Sequence, residues 1–369
     1  MKKSLLILLF TCWALFFAAF RPVMPFAAET AAFPDGTPVT GGRILMGTIG
    51  EPSNLIPYMA SDSASGEITG LLYVAPLKYD KDLNVVPWAA ASYEVLEGGR
   101  LLRFVLRDDI RWEDGVPLTA DDVEFTYKLM IDPKTPTAYS GDFLAIESFK
   151  KTGRLSFEVR YAKPFARSLM TWMGAILPKH VLEGQDIMTT PVARKPIGAG
   201  PYRLAKWDAG SMLTLTASDT YFEGRPNLDE VVYRIIPDPS TMFLELKAGK
   251  LDMMSLSPQQ YLRQTQGPQW ERDWRKYRYL SFSYTFLGFN LEHPFFKNVR
   301  VRRAISMAID RQSLIDGVLL GQGVPTVGPY KPGTWAYNDK LTPVRQDVDE
   351  ARRLLDEAGW KKNKDGLLE

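Results

Sequence analysis

The first twenty-eight residues decide where this chain has to fold. Lys2 and Lys3 give a basic start, Leu5 to Phe20 is a run of sixteen uncharged residues, and Ala27-Ala28 precede the first acid, Glu29. Basic, apolar and small segments in that order read as a secretory signal peptide over 1–28. The run is short for a membrane anchor, which needs roughly 20 residues, and Pro22 and Pro25 end any helix that leaves it. Cys12 follows Phe10-Thr11, a poor lipobox, which argues against an acylated anchor. Cleavage after Ala28 removes the single cysteine, so the exported fold would rest on neither disulfides nor thiol chemistry. It also removes Lys2, Lys3 and Arg21 but no acid, leaving 42 bases against 43 acids and moving the net charge from +2 to −1. That balance gives nucleic acid no electrostatic foothold.

The remaining residues, about 340 of them, exceed the ~250–300 at which one core stops growing, so two or more lobes are expected. Pro34 to Gly42 (PDGTPVTGG) reads as a flexible lead-in within 29–42. A strand is expected at Arg43 to Gly47, a loop from Glu51 to Ser65, and further strands in the apolar runs Leu71 to Tyr79 and Leu101 to Leu106. Thr119 and Asp122 form a T-x-x-D capping signature ahead of Val123, Tyr127 and Met130, which predicts a helix. Other helix starts fall at Ser240, Asn298, Asp310 and Asp347, the last with Glu350 in a second capping box. Strands and helices mix without a repeat, which points to an α/β or mixed α+β chain of several lobes.

Four stretches then take on a shared meaning: LRDDIRWEDGVPLTADDVEFTY from Leu106, PIGAGPYRLAKW from Pro196, FNLEHPFFKNVRVRRAISMAID from Phe289 and DVDEARRLLDEAGW from Asp347. In that order and spacing they resemble the family-5 extracellular solute-binding proteins, the oligopeptide, dipeptide and nickel receptors of ABC importers. Ala199 stands where the family usually has Thr between two glycines. The resemblance implies a periplasmic-binding-protein-like type II fold with lobes joined by a hinge. Lobe I would be 43–80 plus 195–285, lobe II an insertion at 81–194, and lobe III 286–369. Family members continue beyond the AGW segment, so the third lobe is expected to be incomplete, with the apolar faces of its helices at Val301, Ile305, Leu314, Val318, Leu354 and Leu355 partly uncovered.

The residues give other chemistries little support. Gly198-Ala-Gly200 lacks the third glycine of a nucleotide fingerprint, and a tight backbone turn is the better reading. Asp121 and Asp122 lie in a helix first turn, where the macrodipole favours acids for structural reasons, and with Asp108-Asp109 they give no convincing hydrolase pair. His180 and His293 are the only histidines, too few for a transition-metal site, and no G-x-S-x-G elbow occurs. Trp270 to Tyr279 (WERDWRKYRY) interleaves bases with aromatics, but Glu271 and Asp273 interrupt it. Arg300, Arg302 and Arg303 suit ion pairing or a ligand carboxylate. The chain is therefore expected to be no enzyme and to need no cofactor or metal.

What remains is a binding role. Ser61-Asp62-Ser63 offers polar groups with little bulk. By the resemblance, this loop would run beside a bound peptide, and Tyr139, Met254, Ser255 and a strand from Ser281 to Tyr284 would border the same cleft. The implied partners are a short peptide and the membrane permease subunits, with the protein a periplasmic monomer held at the membrane only through its permease. A nickel chelate, a sugar or an opine-like solute stay open as ligands, and an exported hydrolase as a different class. N-terminal sequencing of the exported protein is expected to begin near Glu29; intact Met1 in the membrane fraction would favour an anchor instead.

Overall fold

The computed structural model describes residues 38–367. The signal-peptide reading over 1–28 and most of the lead-in lie outside them. The described residues form two compact units that divide between Leu256 and Ser257.

The first unit contains, in order, β1 (Arg43–Thr48), α1 (Ser63–Leu72), β2 (Leu77–Tyr79), β3 (Val85–Pro87), β4 (Ala90–Leu96), β5 (Leu101–Leu106) and α2 (Ala120–Ile131). It continues with α3 (Ser140–Leu144), β6 (Ile146–Lys151), β7 (Ser156–Tyr161), α4 (Ser168–Thr171), α5 (Lys179–Leu182), β8 (Tyr202–Asp208), β9 (Met212–Ala217), β10 (Glu230–Ile235) and α6 (Pro239–Lys247). One four-stranded sheet has the order β1-β10-β9-β8, with β1 parallel to β10 and the rest antiparallel. A second runs β4-β5-β7-β6 and is antiparallel throughout, and β2 and β3 make a small ribbon.

Alternation explains the second sheet. Phe104 of β5 and Phe157 and Val159 of β7 are fully buried, and the Phe104 and Phe157 rings stack at 4.8 Å beside Trp172. On the outer face, Glu94, Arg103 and Glu158 sit opposite one another on three strands, with Arg103 bonded to both acids at 3.0 and 2.9 Å. The capping box of α2 is as expected: the Thr119 hydroxyl accepts from the Asp121 amide at 3.2 Å, and Asp122 accepts from the Thr119 amide at 2.8 Å.

Leu71 to Tyr79 corrects the sequence reading. Leu71 and Leu72 close α1, and only Leu77–Tyr79 is a strand. Leu72, Tyr73, Val74, Ala75 and Leu77 are all almost completely buried. A run enclosed on every side has no periodicity by which helix and strand could be told apart.

The crossing at the end of α1 sets how closely these parts approach. The Gly200 amide donates to the Leu72 carbonyl at 2.8 Å, and the Glu113 amide donates to the Gly198 carbonyl at 2.8 Å. A Cβ at Gly198 would stand 2.0 Å from the Leu72 carbonyl oxygen, and one at Gly200 2.4 Å from that of Leu71. The tight turn expected of Gly198-Ala-Gly200 is thus a contact of backbone on backbone.

The second unit holds α7 (Pro268–Asp273), α8 (Pro294–Lys297), α9 (Val299–Ala308), α10 (Arg311–Gly317) and α11 (Val348–Glu357). Asn298, Asp310 and Asp347 cap α9, α10 and α11 through their side chains, as the sequence predicts, but the second capping box does not close: the Asp347 amide donates to the Met307 carbonyl and the Glu350 carboxylate accepts from Arg353. Packing of α9 on α11 buries Val301, Ala304, Ala351 and Leu354. Val301 and Leu354 are thus covered where exposure was expected, because α9 and α11 shield each other, whereas on α10 Leu314 remains 53% exposed and Val318 just beyond it 68%. The strand expected at Ser281 to Tyr284 does not form. A strand needs a ladder partner, and none lies beside this stretch among the described residues of the unit.

Gly198→Ala is expected to destabilise the protein by at least ~1–3 kcal/mol, because a backbone oxygen cannot swing away as a side chain can. Thr119→Ala, a simple cap loss, should cost about 1 kcal/mol. Guanidinium unfolding measures both, and an unchanged midpoint for Gly198→Ala would contradict the close approach.

Candidate functional site

The residues expected to face a ligand divide between the two units. In the first, Asp62 is the N-cap of α1 rather than a loop residue, and Ser63 opens the helix. One Asp62 carboxylate oxygen accepts from the Ser65 amide at 2.7 Å. The other accepts from the Ser53 and Ser65 hydroxyls at 2.6 and 2.8 Å. The Ser65 hydroxyl, buried, accepts in turn from the Ser53 amide at 3.0 Å. Burial by itself would raise the Asp62 pKa, but the hydrogen bonds from Ser53 and Ser65 together outweigh it and hold the carboxyl below its ordinary value. The acid therefore fixes the shape of this corner, and the side chains of Ser61 and Ser63 stand exposed on either side of it.

Tyr139 is brought to the same corner, against Ala60, from 79 positions away in sequence. Its hydroxyl donates to the Ala60 carbonyl at 3.4 Å, and the Thr137 hydroxyl donates to the Tyr58 carbonyl at 2.8 Å. Tyr58 is the hidden support. It has φ +73°, its hydroxyl donates to the Ala175 carbonyl at 2.8 Å, and its ring meets Tyr139 edge-on at 6.1 Å. A Cβ at Gly174 would lie 2.3 Å from that hydroxyl, so only glycine leaves room for it. Burial raises the Tyr58 pKa and keeps the phenol neutral. Sequence reasoning missed Tyr58, Ser53 and Ser65; only the D-x-x-S spacing of Asp62 and Ser65 was there to be read as a cap.

Met254 and Ser255 follow a parallel bridge between Met46 and Met253, in which the Gly47 amide donates to the Met253 carbonyl at 3.1 Å. That places them at the C-terminal end of β1, the end from which the chain leaves toward Ser61. Ser255 is exposed and Met254 half-buried.

In the second unit, Ser281 and Tyr284 line a cavity of about 1050 Å³ between the extended stretch 278–289 and the walls formed by α10 and the loop after it. The Ser281 and Ser283 hydroxyls lie 2.8 Å apart, and the Tyr284 ring tilts against Phe286 at 5.4 Å. This wall is rich in aromatics and neutral hydroxyls.

The groups considered for other chemistry are engaged elsewhere. Asp109 pairs with Arg107 at 2.6 Å, Asp121 pairs with Lys151, and Asp122 serves the capping box. His180 contacts Asp114 at 2.7 Å, and His293 caps α8. Arg302 donates to the Phe296 and Lys297 carbonyls, and Arg300 faces Glu357 at 3.4 Å. Among the described residues, no three His, Cys, Asp or Glu side chains gather as a metal site, and no helix is long and apolar enough to cross a membrane.

Comparison with known proteins adds an independent line. Residues 84–369 match the profile of the bacterial extracellular solute-binding proteins, family 5 (middle). The oligopeptide-binding protein AppA of Bacillus subtilis is 32% identical over 343 residues, covering 90% of this chain and 62% of its own. The solved structure of that protein with a nonapeptide aligns with a TM-score of 0.79 at 31% identity, over 90% of this chain and 67% of the other. NikZ of Campylobacter jejuni, solved with Ni(L-His), aligns at 0.77 and 27% identity over 89% and 65% of the two chains. The mixed α/β architecture expected from the resemblance is the one these structures have. The chain spans about three fifths of the length of the curated relatives it matches.

Asp62→Ala is expected to cost about 1 kcal/mol at neutral pH, as loss of a helix cap does. In the unaltered protein this contribution is present above the ordinary aspartate pKa and is lost as pH falls through the lower folded value. Urea unfolding between pH 7 and pH 3 should show a shallower acid-side loss in Asp62→Ala; an identical slope would mean the carboxylate is not held as described.

Proposed function

Because the chain belongs to the family-5 bacterial extracellular solute-binding proteins, we propose that it is the exported receptor of an ABC importer, capturing short peptides and passing them unchanged to membrane permease subunits. The observation that carries the reading is the likeness to AppA along nine tenths of this chain, AppA being an oligopeptide-binding protein solved with a nonapeptide. Ser61, Ser63, Tyr139, Met254 and Ser255 on the first unit, and Ser281 and Tyr284 on the second, are the proposed ligand-facing residues. Asp62 acts as the support that positions its two neighbours.

The chemistry of these side chains suits the task. An extended peptide presents amide N–H and C=O groups that repeat whatever its side chains are. Neutral hydroxyls both donate to and accept from such groups, with water filling the remaining gaps. Aromatic walls take varied side chains without selecting one. The lobe assignment is proposed with it: lobe I as 43–80 and 195–285, lobe II as 81–194 and lobe III from 286. Its support is that the β1-β10-β9-β8 sheet draws on 43–48 and 202–235, while the sheet of β4 to β7 draws only on 90–161; the division between Leu256 and Ser257 argues against 257–285 as part of lobe I.

Calorimetric titration of the full-length protein with a defined peptide library tests the proposal. Saturable binding in the micromolar range, about −8 kcal/mol, with every peptide recovered at its original mass, is the expected result. Tyr139→Ala should weaken it by about tenfold, as loss of a ring contact and a hydrogen bond would. Cleavage products accumulating in proportion to protein would point to a hydrolase. Saturable binding of a nickel–histidine chelate or a sugar, with no peptide bound, would replace the ligand.

A further inference from the structure

The loop from β1 to α1 ends at Ser61 and Asp62 and carries a second carboxylate, Glu51, near its beginning. One Glu51 oxygen accepts from the Trp207 indole N–H at 2.7 Å, and the other accepts from the Gly210 amide at 3.2 Å. Trp207 lies on β8 and Gly210 in the turn between β8 and β9, so the acid grips the end of that hairpin. The Arg194 guanidinium packs over the Trp207 ring at 3.9 Å and faces Glu51 at 3.6 Å. One residue earlier, the Ala193 carbonyl accepts from the Leu55 amide at 3.0 Å. The first part of the loop is thus held by the β8–β9 hairpin and by the segment at 193–194.

We propose that Glu51 is a positioning residue of the ligand-facing corner, fixing the start of the loop to the β8–β9 hairpin and so setting where Ser61 and Ser63 stand. What that corner is for rests on the proposal that the chain is a peptide receptor.

The path from Glu51 to the corner is short and stiff. Pro52 comes next, is buried, and has a ring that locks its own φ and keeps the residue before it extended. Ser53 follows. Its amide donates to the Ser65 hydroxyl at 3.0 Å, and its hydroxyl donates to Asp62 at 2.6 Å. Asp62 in turn caps α1 between Ser61 and Ser63. A displacement of Glu51 is therefore carried through one rigid residue to Ser53, and from Ser53 to the cap. Leu55 and Ile56 are fully buried and anchor the middle of the loop, which leaves its start as the part that a side chain must secure.

The donors around Glu51 suit a carboxylate and not an amide. Two N–H groups converge on it, one on each oxygen, and a carboxylate only accepts. A glutamine there would turn its own NH2 toward one of those donors. The pairing with Arg194 adds little by itself, since both side chains are partly exposed and the separation is 3.6 Å. Its part is to cover the indole face and hold the ring in place.

Backbone NMR and peptide calorimetry on the whole protein test this separately. Without ligand, Glu51→Gln is expected to move the amide signals of Ser53, Ser61, Ser63 and Ser65 and to leave that of Val159, in the other sheet, where it was. Trp207→Phe keeps a ring beneath Arg194 but removes the indole N–H, and should move the same signals. Each variant is expected to weaken peptide binding about fivefold, part of what one charge-assisted hydrogen bond contributes. The double variant should lose no more than about tenfold, because both changes break one contact. Glu97→Gln, which loses a comparable pairing with Arg160 on the other sheet, should alter neither the signals nor the affinity. Unmoved Ser61 and Ser63 signals in Glu51→Gln would overturn the proposal. So would single-variant losses that multiply in full in the double variant, or a peptide affinity that neither variant changes. Moved signals in a protein whose unaltered form binds no peptide would support the positioning role and overturn the receptor reading instead.

Discussion

The Leu72 carbonyl is the point on which the first unit closes. Two glycines approach it so nearly that neither position has room for a Cβ, and one of them donates its amide to that oxygen. The contact joins the last turn of α1 to the entry of β8, and through Gly198 it also holds the turn at Trp112 to Gly115. At its other end α1 begins at Asp62, with Ser61 and Ser63 on either side. The geometry of the candidate site therefore depends on a helix that is pinned at its far end by backbone alone. Side-chain packing around it, from Leu72, Tyr73, Val74 and Leu77, fills the space that this crossing defines.

Where local chemistry determines structure, the sequence was readable. Thr119 with Asp122, and Asp347 by itself, announce helix starts because the capping groups lie within one turn of the backbone they satisfy. The stretch from Leu71 was not readable, since burial on all sides erases the pattern by which helix and strand differ. Ser281 to Tyr284 failed for the opposite reason: its composition suits a strand, but a strand exists only beside another. Of the site, the polar character of Ser61 to Ser63 was legible. That Tyr139 would reach Ala60, or that Tyr58 and Gly174 would support it, was not, because those contacts join residues far apart in sequence.

Asp62 and Glu113 show how little residue type alone reveals. Each is a carboxylic acid in a turn on the same unit. Asp62 is surrounded by donors from Ser53 and Ser65, and the charged form is favoured. Glu113 has lost water without gaining comparable donors, and the neutral form is favoured instead. The difference lies in how many N–H and O–H groups the fold aims at each carboxylate. Only the D-x-x-S spacing at Asp62 hinted at either environment.

The parallel pairing of β1 with β10 has a consequence for how the molecule comes together in time. Arg43 is matched with Glu230, so the first strand of the sheet waits for nearly the whole of the first unit before its neighbour is made. Strands β8, β9 and β10 are joined antiparallel and in sequence order, contacts that cost little chain entropy to form. The sheet of β4 to β7 likewise lies wholly within the intervening stretch. Topology of this kind puts the largest loop-closure cost of the sheet on the pairing of β1 with β10, and long-range pairing of that sort is slow. The strand made first in synthesis can therefore complete its ladder only once a segment some way along the chain has been made and returned to it.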